Sequence, residues 1–411
     1  MSSLPSKPQP QQHSARHLGR VGASISTMWV PALIIISCTW VLTGRYMVDL
    51  DVYRLGAHAL LDGDNLYHQV YRTLEAPLPF TYPPFAALVF SPLAWLGLPI
   101  ATPLFTCVSL LSLYASIRIV ARSYPTLTLF THPWGKVGLF VLALCTGAVH
   151  STLLYGQINL VLLLFVVYGC LGCAPHTRAR LIGGVLVGIA AAIKLTPGFF
   201  VLYFLARRNY AAIIGMCLGF GAATLVAYAC APDSSIDYFT HVLFDAGRIG
   251  AEHYTENHSL KASLSRAGLS NYWPYAAIIT TALAYFAARN CKAQMSFCII
   301  AFALLAVSPV SWVHHWVWLV PCTIILYAHK HYVLTIWAVC TSTLFSYLDD
   351  LLPHSNHLEL QWTFLQQLAG SHDVGFALCV IIVCAVHPQT THLGAYSTVE
   401  NNRINTLSAR H

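Results

Sequence analysis

The chain has little charge. Asp, Glu, Lys and Arg together make up 9% of its 411 residues, against roughly 25% in an ordinary soluble domain. With 56% apolar residues and a mean hydropathy of +0.61, that shortage excludes a soluble globular enzyme. No stretch is long and polar enough to form a separate soluble domain. The apolar runs also lack the period-2 alternation of barrel strands, so a β-barrel is excluded and helices remain to satisfy the backbone in lipid. Paired cysteines are scarce too. The 13 Cys lie mostly inside apolar runs, and Cys170 and Cys173 form a C-x-x-C with no second pair nearby, which argues against a zinc or redox centre. The net charge of +7 comes from Lys and Arg scattered along loops. It is a topology signal and not a nucleic-acid-binding patch.

The apolar blocks fall near 26–44, 84–98, 100–120, 136–154, 157–174, 181–193, 196–206, 210–231, 272–288, 294–308, 312–328, 331–347 and 374–386. A spanning helix needs about 20 residues. Block 84–98 is short and flanked by prolines, so it is expected to penetrate without crossing. The other twelve are expected to cross. The fold class is therefore an all-α polytopic membrane protein with about 12 transmembrane helices. Residues 1–25 form a cytoplasmic tail, 26–386 the transmembrane catalytic domain and 387–411 a disordered cytoplasmic tail. This arrangement puts 15 of the 22 Lys and Arg in the cytoplasm, and of the 15 acids only Glu400. The other acids gather in three external segments, 45–83, 232–271 and 348–373. Within the first, 51–62 has apolar residues at helical spacing and is expected to lie along the membrane surface.

The chemistry-bearing residues sit where these segments meet the blocks. Asp49 and Asp51 flank Leu50 just beyond the first block. Their bland reading is two solvated loop acids. The functional one is a general base, which needs only one carboxylate, or a D-x-D pair sharing a divalent cation. Tyr82, in Pro79-Phe80-Thr81-Tyr82-Pro83-Pro84, lies in a proline-stiffened loop and offers a ring to a sugar. Gln157 and Asn159, in a turn between two helices, either cap helix ends or bind sugar hydroxyls. Lys194 lies within an apolar region, where a charge costs roughly 2.5–3.5 kcal/mol on insertion scales and a phosphate partner explains its presence. His314 and His315 either anchor a helix end or donate to a phosphate or sugar. Adjacent histidines on a helix diverge by about 100°, so they make a poor metal pair.

Taken in order, Asp-Leu-x-Val-Tyr at 49–53, Leu-Leu-x-Gly at 60–63, Pro-Phe-Thr-Tyr-Pro-Pro at 79–84, Tyr-Gly-Gln-Ile-Asn at 155–159, Lys-Leu-Thr-Pro-Gly at 194–198, Asn257-His258-Ser259 with Arg266, and Ser-Pro-Val-Ser-Trp-x-His-His at 308–315 form a pattern. It resembles the actinobacterial alpha-1,2-mannosyltransferases of the glycosyltransferase C superfamily, over about 45–350. The resemblance implies a glycosyltransferase C-like bundle in the plasma membrane, with external loops forming an active site on the extracytoplasmic face. It implies a polyprenyl-phosphate-mannose donor, a membrane glycolipid acceptor such as a phosphatidylinositol mannoside, lipomannan or lipoarabinomannan, and an inverting displacement with Asp49 as base and Asp51 in reserve. Asn257, His258 and Arg266 join the substrate-binding candidates on the same ground, although His258 stands where the pattern has Gln. Lys194, Arg266 and His314 or His315 are candidates to stabilise the leaving phosphate. This chemistry needs no cofactor or metal, although some relatives with D-x-D use a divalent cation. An arabinosyltransferase using polyprenyl-phosphate-arabinose fits the same motifs. A lipid or sugar flippase would explain the many helices and Lys194, but it has no need of an acid-rich external face.

Overall fold

The structure, a computed structural model, describes residues 31–42 and 44–387. The expected tails, 1–25 and 387–411, lie outside the described residues apart from His387, and Glu400 lies outside with them. Regular structure in the described residues is helical except for one antiparallel ribbon, Val70–Arg72 with Pro77–Pro79, which pairs Val70 with Pro79 and Arg72 with Pro77.

Few helices cross a bilayer unbroken. Among the described residues, Leu98–Arg122 and Tyr210–Cys230 are long and apolar enough to do so. Pro133–Leu144 and Gly147–Tyr155 make a third span if taken together, bent by 69°. The other apolar helices have 10–17 residues. At 1.5 Å per residue they reach about 15–26 Å, short of the ~30 Å hydrocarbon core. Whole helices therefore account for two or three crossings, and any further ones must be assembled from pieces. Block 84–98 becomes the 11-residue helix Pro84–Ala94 with Pro92 inside it. At about 16 Å it is half the core thickness.

Two packing arrangements position the site. The stretch expected to lie on the membrane surface is a largely buried helix, Val48–Leu61. It starts three residues earlier than its apolar spacing suggests, and Tyr53, Gly56 and Ala57 bury the faces left open by Val52, Ala59 and Leu60. The Tyr53 ring stacks on Phe90 of Pro84–Ala94, with centroids 4.2 Å apart. A Cβ at Gly56 would come within 2.5 Å of the Phe80 ring. The helices Thr177–Ile193 and Tyr210–Cys230 touch through backbone. A Cβ at Gly184 or Gly188 would lie 2.0 or 2.2 Å from the Ala212 or Met216 carbonyl oxygen. Gly215 and Gly219 meet Leu181 and Val185 in the same way. Small residues four apart are how membrane helices approach this closely, because lipid supplies no hydrophobic force between them.

Three chain breaks then converge. One lies at Gly156, between Gly147–Tyr155 and Asn159–Val167. One lies at Lys194, where the helix ends in extended backbone before the 3₁₀ turn Thr196–Phe200. The third runs from Ser308 to Trp312, between Ala293–Val307 and the 3₁₀ helix Val313–Trp318. Irregular backbone at membrane depth is tolerated where it is buried in protein or lines a cavity, and these breaks do both.

Candidate active site

The breaks and the helix Val48–Leu61 enclose a cavity of about 580 Å3. Asp49, Tyr82, Gln157, Lys194, His314 and His315 all line it. Gly156 sets the first contact. Its φ is +71°, and a Cβ there would sit 2.8 Å from Leu50 and 2.9 Å from Met47. A glycine is needed on both counts, and it aims Gln157 at the start of Val48–Leu61. Gln157 Nε2 donates to Asp49 Oδ2 at 2.7 Å. The tyrosine hydroxyls of Tyr82 (2.8 Å) and Tyr53 (3.0 Å) donate to Gln157 Oε1. The amide is thereby fixed with its donor toward the carboxylate. Burial raises the Asp49 carboxyl to about 6, against the Gln157 hydrogen bond and the Lys194 charge, which both pull it down.

In the same cavity Lys194 Nζ donates to Asn159 Oδ1 at 2.9 Å and lies 3.0 Å from His315 Nε2. A protonated amine makes that nitrogen the acceptor and puts the imidazole proton on Nδ1. The ammonium also sits 5.3 Å from the centre of the Tyr82 ring. Asn159 Nδ2 donates to the His314 carbonyl at 2.8 Å, tying two breaks together. Of the adjacent histidines, His315 holds the lysine. His314 packs edge-on to Tyr155, and its Nε2 has no hydrogen-bond partner among the described residues.

The remaining sequence candidates lie elsewhere. Asp51 does not line the cavity. Two residues along a helix is a turn of about 200°, so Asp49 and Asp51 face opposite ways and cannot share a cation. Asp51 instead pairs with Arg54 at 3.0 Å and accepts from the Tyr46 hydroxyl at 2.8 Å, which removes it as a reserve base. Asn257, His258 and Arg266 are buried away from the cavity as well. Asn257 accepts from the Ser311 amide and donates to the Glu252 carbonyl. His258 is fully buried between Asp373 (2.5 Å from Nδ1) and Asp349 (2.8 Å from Nε2). Burial alone would lower its pKa, but the two carboxylates outweigh it and raise it to about 10. Arg266 donates to the carbonyls of Tyr254, Asn257 and Gly370. Asn257 and His258 tie their segment to the 308–312 break through Ser311, and none of the three lines the cavity. Sequence reasoning passed over Arg248 and Glu256, which do line it. Arg248 is anchored by donating to the Tyr67 carbonyl at 3.0 Å. Nothing in their local pattern separates them from the other charges of segment 232–271.

The geometry puts a carboxylate of raised pKa and a lysine in one cavity at the end of broken membrane helices. Residues 80–314 match the family described as Glycosyltransferase family 87, a span that contains Tyr82, Gln157, Asn159, Lys194 and His314. The chain belongs to glycosyltransferase family 87. As a glycosyltransferase, it has named relatives of similar length. It is 33% identical over 390 residues, covering 87% of this chain and 90% of the relative, to the polyprenol-phosphate-mannose-dependent alpha-(1-2)-phosphatidylinositol mannoside mannosyltransferase of Mycobacterium tuberculosis. It is 35% identical over 311 residues, 71% of this chain and 73% of the relative, to a Mycolicibacterium smegmatis alpha-(1-2)-phosphatidylinositol pentamannoside mannosyltransferase with the same donor in its name. Among solved structures, ArnT from Cupriavidus metallidurans bound to undecaprenyl phosphate superimposes partially, with a TM-score of 0.46 and 16% identity over 88% of this chain and 78% of that one.

Proposed function

We propose that this glycosyltransferase moves mannose from polyprenyl-phosphate-mannose to a phosphatidylinositol-mannoside type of glycolipid, forming an alpha-1,2 linkage on the extracytoplasmic face of the plasma membrane. The observation that carries the reading is Asp49, held by Gln157 on one wall of the cavity, with Lys194 on another. An acceptor hydroxyl loses its proton to Asp49 as its oxygen bonds to the anomeric carbon. The bond from that carbon to the phosphate oxygen breaks, and polyprenyl phosphate leaves with one more negative charge. Lys194 stands where that charge develops and costs no reorganisation to meet it. A single displacement inverts the centre, turning a beta-linked donor into an alpha product. An Asp49 pKa of about 6 leaves the base mostly ionised at neutral pH yet strong enough to take the proton. No step runs through a divalent cation.

The topology that goes with this reading has about twelve crossings, several made of paired half-helices, with the cavity opening outward. The named relatives support the donor and the linkage. The assay is transfer from radiolabelled polyprenyl-phosphate-mannose to membrane glycolipids by purified protein with EDTA present, followed by linkage analysis. A labelled alpha-1,2 product supports the proposal. Transfer from polyprenyl-phosphate-arabinose alone would replace mannose by arabinose, and transfer from neither donor would overturn it.

A further inference from the structure

A second cleft, of about 540 Å3, adjoins the first, and Tyr254 and Glu256 line both. Its walls are more polar than those of the first. Glu256, Asp349, Asp350 and Glu359 contribute carboxylates, and His354 and His357 imidazoles. Two of the carboxylates are buried yet incompletely bonded. Asp349 is 6% exposed and Glu359 2% exposed, and Asp349 Oδ1 and Glu359 Oε2 have no hydrogen-bond partner among the described residues. Asp349 spends its other oxygen on His258. A buried acceptor without a donor costs free energy that a bound donor recovers. Both groups lie in the 348–362 segment, which is tied down by Trp362 Nε1 donating to the Pro353 carbonyl and by the Arg266 guanidinium 5.1 Å over the Trp362 ring.

We propose that this cleft is the subsite for the hydroxylated head group of the acceptor. The inference rests on the glycosyl-transfer reading of the first cavity. A phosphate is repelled by four carboxylates and attracted by Lys194, so the donor phosphate belongs in the first cavity. What enters this cleft is the uncharged sugar and inositol part of the acceptor, its own phosphate staying outside. Uncharged hydroxyls donate to carboxylate oxygens without a charge penalty, and such bonds are stronger than neutral ones. The volume falls in the usual range of roughly 300–1,000 Å3 for ligand pockets. A head group seated there passes its reactive hydroxyl over Tyr254 and Glu256 into the cavity that holds Asp49. A cation would fit less well. Among the described residues, His258, His372 and Asp373 are the group of three or more whose ligand atoms lie within 4.8 Å of one another, and both His258 nitrogens are already engaged there.

The test uses full-length protein in detergent, wild type beside Glu359→Gln and Asp350→Asn. Glu359→Gln keeps shape, and Asp350 is exposed, so at least one variant should fold; thermal unfolding checks both. Each lost charge-assisted hydrogen bond should raise the acceptor KM by about tenfold, with kcat and the donor KM unchanged. An unchanged acceptor KM in both folded variants overturns the proposal, as does a fall in kcat alone. If wild type transfers no sugar, the function reading fails on its own. The cleft is then tested by calorimetric binding of deacylated, water-soluble phosphatidylinositol dimannoside. Binding that is lost in Glu359→Gln supports the cleft, and no binding to wild type overturns it. Binding of calcium that is lost in Glu359→Gln, with no effect on the acceptor KM, would make it a cation site instead.

Discussion

Gln157 Nε2 donates to Asp49 Oδ2 at 2.7 Å, and the Gln157 carbonyl is held by two buried tyrosine hydroxyls. The bond joins a chain break to the helix Val48–Leu61, residues 108 apart in sequence. It fixes the carboxylate's direction and lowers its pKa against the effect of burial.

The acid limb of activity should follow. Asp49 acts as the carboxylate, so kcat/KM is expected to fall as pH drops through about 6. Gln157→Leu removes a bond that favours ionisation, so the limb should move to higher pH. A pH–rate profile of both proteins checks this, and a limb that stays in place would detach Gln157 from the base.

Lys194 is held by Asn159 and His315 with one donor left over. Lys194→Met is expected to cost about 10²–10³ in kcat, the loss typical of a removed charge-stabilising donor. Asn159→Ala keeps the charge but loosens it, so its loss should be smaller. Single-turnover rates with saturating donor separate this from weaker donor binding.

Asp51 should behave as a structural acid. Asp51→Asn breaks its pair with Arg54, whose Nε also donates to the Leu93 and Leu96 carbonyls. Stability should fall by about 1–3 kcal/mol, with kcat retained. Thermal unfolding and the transfer assay on one preparation distinguish this from a catalytic role.

The His258 clamp predicts sensitivity to alkali. Its pKa is raised in the folded state from 6.5 to about 10. The stabilisation is therefore fully present below the unfolded value and is lost as pH rises through about 10. Unfolding temperatures across that range should drop more steeply for wild type than for His258→Gln, which has no such proton to lose.

How much of this was legible depended on distance along the chain. Asp49, Gln157, Asn159, Lys194 and His315 each stand at the end of an apolar block or at a break in one, so local pattern alone exposed them. His258 and Arg266 are just as polar, and Arg266 is about as near a block. The residues that claim them, Asp349, Asp373 and Gly370, lie 91–115 positions away, and no local pattern tells a clamp from a ligand. Asp51 is a different case. Had the helix been started at Val48 and not at residue 51, the 200° between neighbours two apart would have separated it from Asp49. The broken crossings were visible as prolines and glycines within short blocks, whereas their convergence on one cavity depends on contacts such as Asn159 to the His314 carbonyl.

The most direct test of the account compares wild type with Asp49→Asn for two quantities on the same protein: binding of polyprenyl-phosphate-mannose and the single-turnover rate of mannose transfer. The account predicts donor binding within about twofold and a transfer rate lowered by about 10²–10⁴, the range for a lost general base. Transfer at the wild-type rate by a folded Asp49→Asn protein would contradict it.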